Sequence, residues 1–257
     1  MKLTFLVNYD LAALLALNHL LPSCKQHDVS VFYTRKTLLP SEFAFQSAKQ
    51  PMVQPQHKTF PSALQNLAVF EAKVLSEDTR LASFSDLGAI ELNDINGADF
   101  QTFTASAPDL VVSIRHMSIL KSPVIEVAKF GVINLHSGIL PGYQGVMSTF
   151  RAMINGDANL GTTLHFIENS SIDSGPIIAR SETVARYDKS YLWNVLSLYS
   201  GGCVNVLGAI QSVTKGVMLN AEYQNGDASY FSYPNSDDFG AAQFPLFEDN
   251  ESLPEYR

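Results

Sequence analysis

Leu3-Thr-Phe-Leu-Val7-Asn-Tyr-Asp10-Leu11-Ala-Ala-Leu-Leu-Ala-Leu-Asn-His-Leu-Leu-Pro22, answered by Val29-Ser-Val-Phe-Tyr33, is the stretch on which the fold turns. Leu3 to Val7 suits a parallel strand buried on both faces. Asp10 is placed to cap the segment that follows, where Leu11, Leu14, Leu15 and His19 recur near helical spacing until Pro22. Val29 to Tyr33 supplies the next strand. A strand, a helix and a strand in that order open a doubly wound sheet.

The same alternation continues outward. Ser62 to Leu75 reads as a helix, Leu87 to Leu92 as a short strand, and a helix follows from about Gly97. Asp109-Leu-Val-Val-Ser-Ile114 is a buried strand, Pro123 to Lys129 a short helix, and Gly131 to His136 a further strand. Met147 to Asn155 is a helix ending at Gly156, and Gly161 to Ile167 and Gly175 to Ser181 are the last two strands. Asp188 begins a long apolar helix in which Gly201-Gly202 marks close packing or a kink. The segment between Thr37 and Pro61 carries four prolines and reads as a long loop near the acceptor pocket. The expected fold is therefore α/β, Rossmann-like and doubly wound, with a mainly parallel sheet of about seven strands. Residues 1–186 form the expected main domain, and residues 187–257 a C-terminal helix with a small extension that packs back on the sheet.

A chain of 257 residues with 46% hydrophobic and 16% charged residues is an ordinary globular composition. Its formal charge of -8 argues against a surface built to grip phosphate backbones, so no nucleic-acid partner is expected. Cys24 and Cys203 lie far apart and make no metal or redox spacing, and the scattered His19, His27 and His57 read as solvated or core-edge residues; no metal is expected. The N-terminus lacks the apolar core of a signal peptide, and no apolar stretch is long enough for a membrane span. A cytoplasmic address follows as the expectation, with a homodimer left open.

Chemistry gathers in two short segments, Asn134-Leu-His136-Ser-Gly-Ile-Leu-Pro141-Gly-Tyr-Gln-Gly145 and Ser171-Ile-Asp173-Ser-Gly-Pro-Ile-Ile178. Asn134 and His136 are two apart, so on a strand they project from one face. A side-chain amide and an imidazolium are donors that can be aimed at an oxyanion forming on a carbonyl. A carboxylate beside the imidazole favours its protonated form and can receive a proton from an attacking amine, and Asp173 is the candidate. On spacing alone, Asn-x-His reads first as a pair of strand-end hydrogen-bonding residues.

The ordered string resembles the folate-dependent formyltransferase family. Asn-x-His is Asn134 to His136, Leu-Pro-x-Tyr-x-Gly is Leu140 to Gly145, Gly-x-Thr-Leu-His is Gly161 to His165, and Asp-x-Gly-Pro-Ile is Asp173 to Ile177. The resemblance implies that Asn134, His136 and Asp173 are catalytic and that the formyl donor is 10-formyltetrahydrofolate. It further implies that Met117, Ser118, Ile119 and Leu120, in a loop similar to the one that wraps the pterin ring, contact the folate together with Ile172, and that His165 gives hydrogen-bonding support. Three positions depart from the family pattern: Gly138-Ile139, Gln144 in place of an Arg, and Met147-Ser148 where a Pro is common. They bear on the acceptor side of the pocket. The turn Asn8-Tyr9-Asp10-Leu11 lacks the Gly-rich phosphate cradle of members that formylate a phosphoribosyl substrate. The resemblance implies a small-molecule primary amine as acceptor, first an amino sugar on a nucleotide by analogy with the family's acidic, compact members, or else a hydroxylamine. Hydrolysis of formyltetrahydrofolate and a non-catalytic folate-binding scaffold are the rival readings.

Overall fold

The computed structural model describes residues 1–35, 62–249, 251–252 and 254. The loop expected between Thr37 and Pro61 lies outside the described residues. In chain order the elements are β1 (Lys2–Asn8), α1 (Leu11–Leu20) with a 3-10 turn (Leu21–Cys24), β2 (Asp28–Thr34), α2 (Ser62–Glu77), β3 (Ile90–Glu91), α3 (Phe100–Ala105), β4 (Leu110–Ile114), α4 (Ser122–Ile125), β5 (Val132–His136), β6 (Gln144–Gly145), α5 (Ser148–Ile154), β7 (Asn159–Ile167), β8 (Ile177–Val184), α6 (Tyr191–Thr214), β9 (Tyr230–Phe231) and α7 (Ser236–Ala241).

Seven of these strands form one sheet in the order β3-β2-β1-β4-β5-β7-β8. The five strands from β3 to β5 run parallel, whereas β7 is antiparallel to both β5 and β8. The opening unit forms as its residues dictate. Asp10 caps α1 by accepting from the Ala13 amide at 2.9 Å. Every residue of α1 from Leu11 to Leu17 is buried, so packing rather than an amphipathic stripe sets its place.

Side chains alternate between two cores, one on each face of the sheet. Phe5, Val7, Val112, Ile133, Leu135 and Leu164 pack with α1, α5 and α6. Leu6, Val111 and Val132 pack on the other side with Phe103 of α3 and Val124 of α4. Strand residues two apart share a face, so Ser113, Asn134, His136 and His165 all stand on the second side. There α4 is a single turn. It leaves the upper end of that face uncovered.

Several element boundaries differ from the sequence reading, and the helix expected over Pro123 to Lys129 is the single turn Ser122–Ile125. The strand expected over Leu87 to Leu92 is two residues, Ile90–Glu91, and the helix expected from Gly97 starts at Phe100, because Asp94 and Asp99 spend their carboxylates on local backbone amides. The long helix starts at Tyr191, not at Asp188. Ser190 is its cap, accepting from the Trp193 amide at 3.0 Å, and Asp188 pairs with Arg186 at 2.7 Å instead. In the C-terminal extension β9 pairs with β6 in a separate two-stranded sheet, and Glu222 bridges to Ile177 of the main sheet.

Gly201 and Gly202 let α6 lie close on the sheet. A Cβ at Gly201 would meet Ser181 Cβ at 2.9 Å, and one at Gly202 would meet Thr162 Oγ1 at 2.9 Å. Alanine gains about 1 kcal/mol of helix propensity per site, but overpacking costs about 1–3 kcal/mol. Here the second effect wins, because Thr162 and Ser181 are held together by a 2.7 Å hydrogen bond and cannot both move aside. The double variant Gly201→Ala/Gly202→Ala is expected to unfold at lower denaturant concentration than the wild type, where propensity alone would raise the midpoint.

Candidate active site

Asn134 and His136 leave the end of β5 on the face where α4 packs, at the end that α4 leaves uncovered, and β7 brings a third group to them. In the antiparallel register Asn134 lies opposite His165, so the two side chains meet across the ladder. Asn134 Nδ2 is 3.1 Å from His165 Nε2. The loop after β7 then turns back and places Asp173 over both histidines, with Oδ2 3.4 Å from His136 Nδ1 and Oδ1 3.5 Å from His165 Nε2. Asn134 Nδ2 is also 3.5 Å from Asp173 Oδ1. The structure thus brings Asn134, His136 and Asp173 together, and adds His165.

Backbone contacts fix which ring nitrogens carry protons. His136 Nε2 lies 2.7 Å from the Tyr143 carbonyl oxygen, which can only accept, so Nε2 is protonated and Nδ1 faces the carboxylate. His165 Nδ1 is 2.8 Å from the Phe166 carbonyl oxygen by the same logic, which leaves Nε2 towards Asn134. The Gly145 amide donates to Asp173 Oδ2 at 2.9 Å. Burial pushes the Asp173 carboxyl up, but the adjacent His136 charge, the His165 ring and the Gly145 amide outweigh it and hold the group down at about 2. Asp173 is therefore an anion at any working pH.

Backbone strain is concentrated at this cavity. Of the four described non-glycine residues with positive φ, Arg115 (58°), Met147 (55°) and Asp173 (50°) line it. Such conformations cost energy and persist where the surroundings over-determine them. Asp173 is held by the contacts just named, and Arg115 by Asp10, whose two carboxylate oxygens each lie 2.9 Å from the guanidinium Nε.

Met117, Ser118, Ile119 and Leu120 form one wall of the cavity, and Ile172 stands in another. Ile119 is 54% exposed and Ile172 37% exposed. Two large apolar side chains left in solvent on the walls of a cavity are a surface for an apolar or flat ligand. The loop is braced from behind by Asn96, which donates to the Ile119 carbonyl at 2.8 Å and accepts from the Lys121 amide at 2.9 Å. His116 lines the same cavity, with Nδ1 3.4 Å from the Val7 carbonyl. Among the described residues no cluster of His, Cys, Asp and Glu is arranged to hold a metal. No described helix is long and apolar enough to cross a membrane.

Sequence reasoning missed Gln224. Its amide nitrogen donates to the carbonyls of Asp173 and Gly175, both at 2.8 Å. A glutamine in a stretch without periodicity gives no signal that it will reach a loop 51 residues earlier.

A formyl transferase family model matches residues 70–191, a segment that contains Asn134, His136, His165 and Asp173. Over 108 residues the chain is 35% identical to a methionyl-tRNA formyltransferase of Fusobacterium nucleatum, which is 42% of this chain and 34% of that protein. The match spans about a third of that relative's length. Among solved structures, an N-formyltransferase from Helicobacter canadensis in complex with folinic acid and dTDP-3-aminofucose superimposes with a TM-score of 0.55 at 19% identity, covering 99% of this chain and 84% of that one. Glycinamide ribonucleotide transformylase 1 from Symbiobacterium toebii gives a TM-score of 0.56 at 14% identity, covering 88% of this chain and 95% of that one. Both share the fold. Over residues 70–191, just under half of its length, the chain matches the formyl transferase family, and within that stretch lie all four side chains that meet in the cavity.

Proposed function

We propose that the protein transfers a formyl group from 10-formyltetrahydrofolate to a small-molecule primary amine. The observation that carries this reading is the convergence of Asn134, His136 and Asp173 in one cavity whose walls include the exposed Ile119 and Ile172. The neutral amine attacks the formyl carbon, and the carbonyl electron pair moves to oxygen. Asn134 Nδ2 donates to that oxyanion, and the charge of protonated His136, whose ring nitrogens face the Tyr143 carbonyl and Asp173, stabilises it. Asp173 holds the imidazolium and takes the amine proton, directly or through water. When the carbonyl reforms, the bond to N10 breaks, N10 receives the proton and tetrahydrofolate leaves.

Two features bear on the acceptor. The net charge of -8 disfavours a tRNA, whose phosphates need a basic face. The N-terminus of α1, where a phosphoribosyl acceptor would place its phosphate, is filled by the Asp10 carboxylate, which accepts from Ala13 N and Asn8 Nδ2 and pairs with Arg115. A phosphate there would meet a buried anion. An amino sugar carried on a nucleotide is the first acceptor to test; the Helicobacter protein of like fold was solved with such a molecule.

The test supplies the pure protein with 10-formyltetrahydrofolate and, separately, a nucleotide-linked amino sugar, a free amino sugar, a hydroxylamine, glycinamide ribonucleotide and methionyl-tRNA. Tetrahydrofolate release should depend on a small amine, with the formamide found by mass spectrometry. Turnover of glycinamide ribonucleotide at a comparable rate would overturn the acceptor reading, and formate release indifferent to any amine would replace transfer by hydrolysis.

A further inference from the structure

The segment after α6 carries none of the motifs read from the sequence, yet it backs both turns that build the site. At one end, Glu222 and Ile177 exchange backbone hydrogen bonds of 2.7 and 2.9 Å, which ties the segment to the start of β8, just beyond the Asp173 loop. At the other, Gln144 N donates to Ser229 O and Val146 N to Phe231 O, each at 2.9 Å, which ties it to the turn that supplies Gly145. The apposition is close. A Cβ on Gly145, at φ +96°, would meet Phe231 O at 2.2 Å.

Between these two anchors stands Gln224. Its Nε2 lies 2.8 Å from the carbonyl oxygens of both Asp173 and Gly175. Only the NH2 end of a carboxamide can face two carbonyl oxygens, so the amide orientation is fixed by chemistry. Its Oε1 accepts from Gln144 Nε2 at 3.4 Å, and Gln144 Nε2 also reaches the Asp173 carbonyl at 3.2 Å. Two side-chain amides therefore grip the peptide that follows Asp173, a residue in the left-handed region at φ 50°. The conformation aims the carboxylate at His136, and the grip falls on the backbone whose rotation would swing it away.

We propose that Gln224 is a positioning residue for formyl transfer, holding the Asp173 backbone in its left-handed conformation so that the carboxylate stays on His136. It rests on the reading that Asp173 serves that reaction. Gln224 touches no reacting atom and acts through Asp173.

Three variants separate positioning from filling of space. Gln224→Ala removes the grip, Gln224→Glu keeps the shape but presents only acceptors to two carbonyl oxygens, and Gln224→Lys returns a donor. The expected result is a kcat lower by about tenfold or more for the alanine and glutamate variants, the scale of a displaced catalytic group. KM for formyltetrahydrofolate should stay within about threefold, and lysine should recover a substantial part of kcat. Wild-type kcat in both the alanine and glutamate variants, or equal losses in all three, would overturn the proposal. A second measurement does not need activity. The Gly145 amide donates to the Asp173 carboxylate, so its proton resonance should move upfield and exchange faster in Gln224→Ala. If the wild type formylates no amine at all, the functional reading falls, and the clamp is then judged on that resonance: a shift supports it and an unchanged signal sinks it.

Discussion

Asn134→Ala and His136→Ala are each expected to lower kcat by about 10²- to 10³-fold, the usual loss when one oxyanion donor is removed from a dry, pre-oriented site. Both residues sit on β5, an interior strand, where Asn134 is paired with β4 and β7 and His136 with β7, so their Cα positions do not depend on the side chains that are lost. The loss should fall on kcat more than on the affinity for the folate, whose expected walls at Met117 to Leu120 and Ile172 are separate from both residues. His136 needs a control that Asn134 does not. Its Nε2 also holds the Tyr143 carbonyl at 2.7 Å, and that turn carries the Gly145 amide to Asp173. His136→Ala could therefore act by loosening the turn. His136→Gln, which can still donate to Tyr143 but cannot carry the imidazolium charge, separates the two. If the glutamine variant is as slow as the alanine variant, the charge matters. The double variant Asn134→Ala/His136→Ala should be little slower than the worse single one, because the two groups act on one oxygen. Single variants that turn over at the wild-type rate with a verified acceptor would remove both residues from the mechanism.

Much of this arrangement could be read from local sequence because it is local in origin. A buried parallel strand is a short apolar run, and β1, β4 and β5 were found that way at Leu3 to Val7, Asp109 to Ile114 and Gly131 to His136. The Asp10 cap was legible from one residue and its neighbours. Asn134 and His136 were a pair on the strand's two-residue period before any partner was known. What stayed hidden depends on contacts distant in sequence. The pairing of β9 with β6 is set by where α6 delivers the chain, and a two-residue strand has no periodicity to detect. Asp188 and Ser190 are both good caps in sequence, and only the folded chain shows that Ser190 takes the Trp193 amide while Asp188 faces Arg186. Gln224 illustrates the limit most sharply, since its two carbonyl partners are backbone atoms that no side-chain pattern announces.

Asp173→Asn should be the most damaging single change of similar shape, slowing turnover by about 10²-fold or more, within the range spanned by loss of a proton-transfer group. The carboxylate receives donors from the Gly145 amide, protonated His136 and Asn134 Nδ2, and an amide can accept on only one of its two ends. The other end would turn an NH2 towards donors. The variant should also lose stability near neutral pH, and the pH dependence identifies the cause. In the folded protein the Asp173 carboxyl is held at about 2, below the roughly 3.9 of an unfolded chain. A depressed value means that its contribution, about 2 kcal/mol, is present in full above about pH 4 and is lost as pH falls towards 2. The gap in unfolding free energy between wild type and Asp173→Asn should accordingly be constant from neutral pH to about 5 and close below 4. Backbone strain cannot account for such a gap. Asparagine tolerates a φ of 50° at least as well as aspartate, so on conformation alone the variant would be no less stable. A gap that persists unchanged to acid pH would point to packing instead of charge. The same low value makes a statement about catalysis: Asp173 is ionised well below the pH at which an amine can be neutral, so any acid limb in kcat/KM between pH 5 and 8 belongs to another group. An Asp173 carboxyl resonance that itself titrates in that range would contradict the assignment of Asp173 as an anion in the resting enzyme.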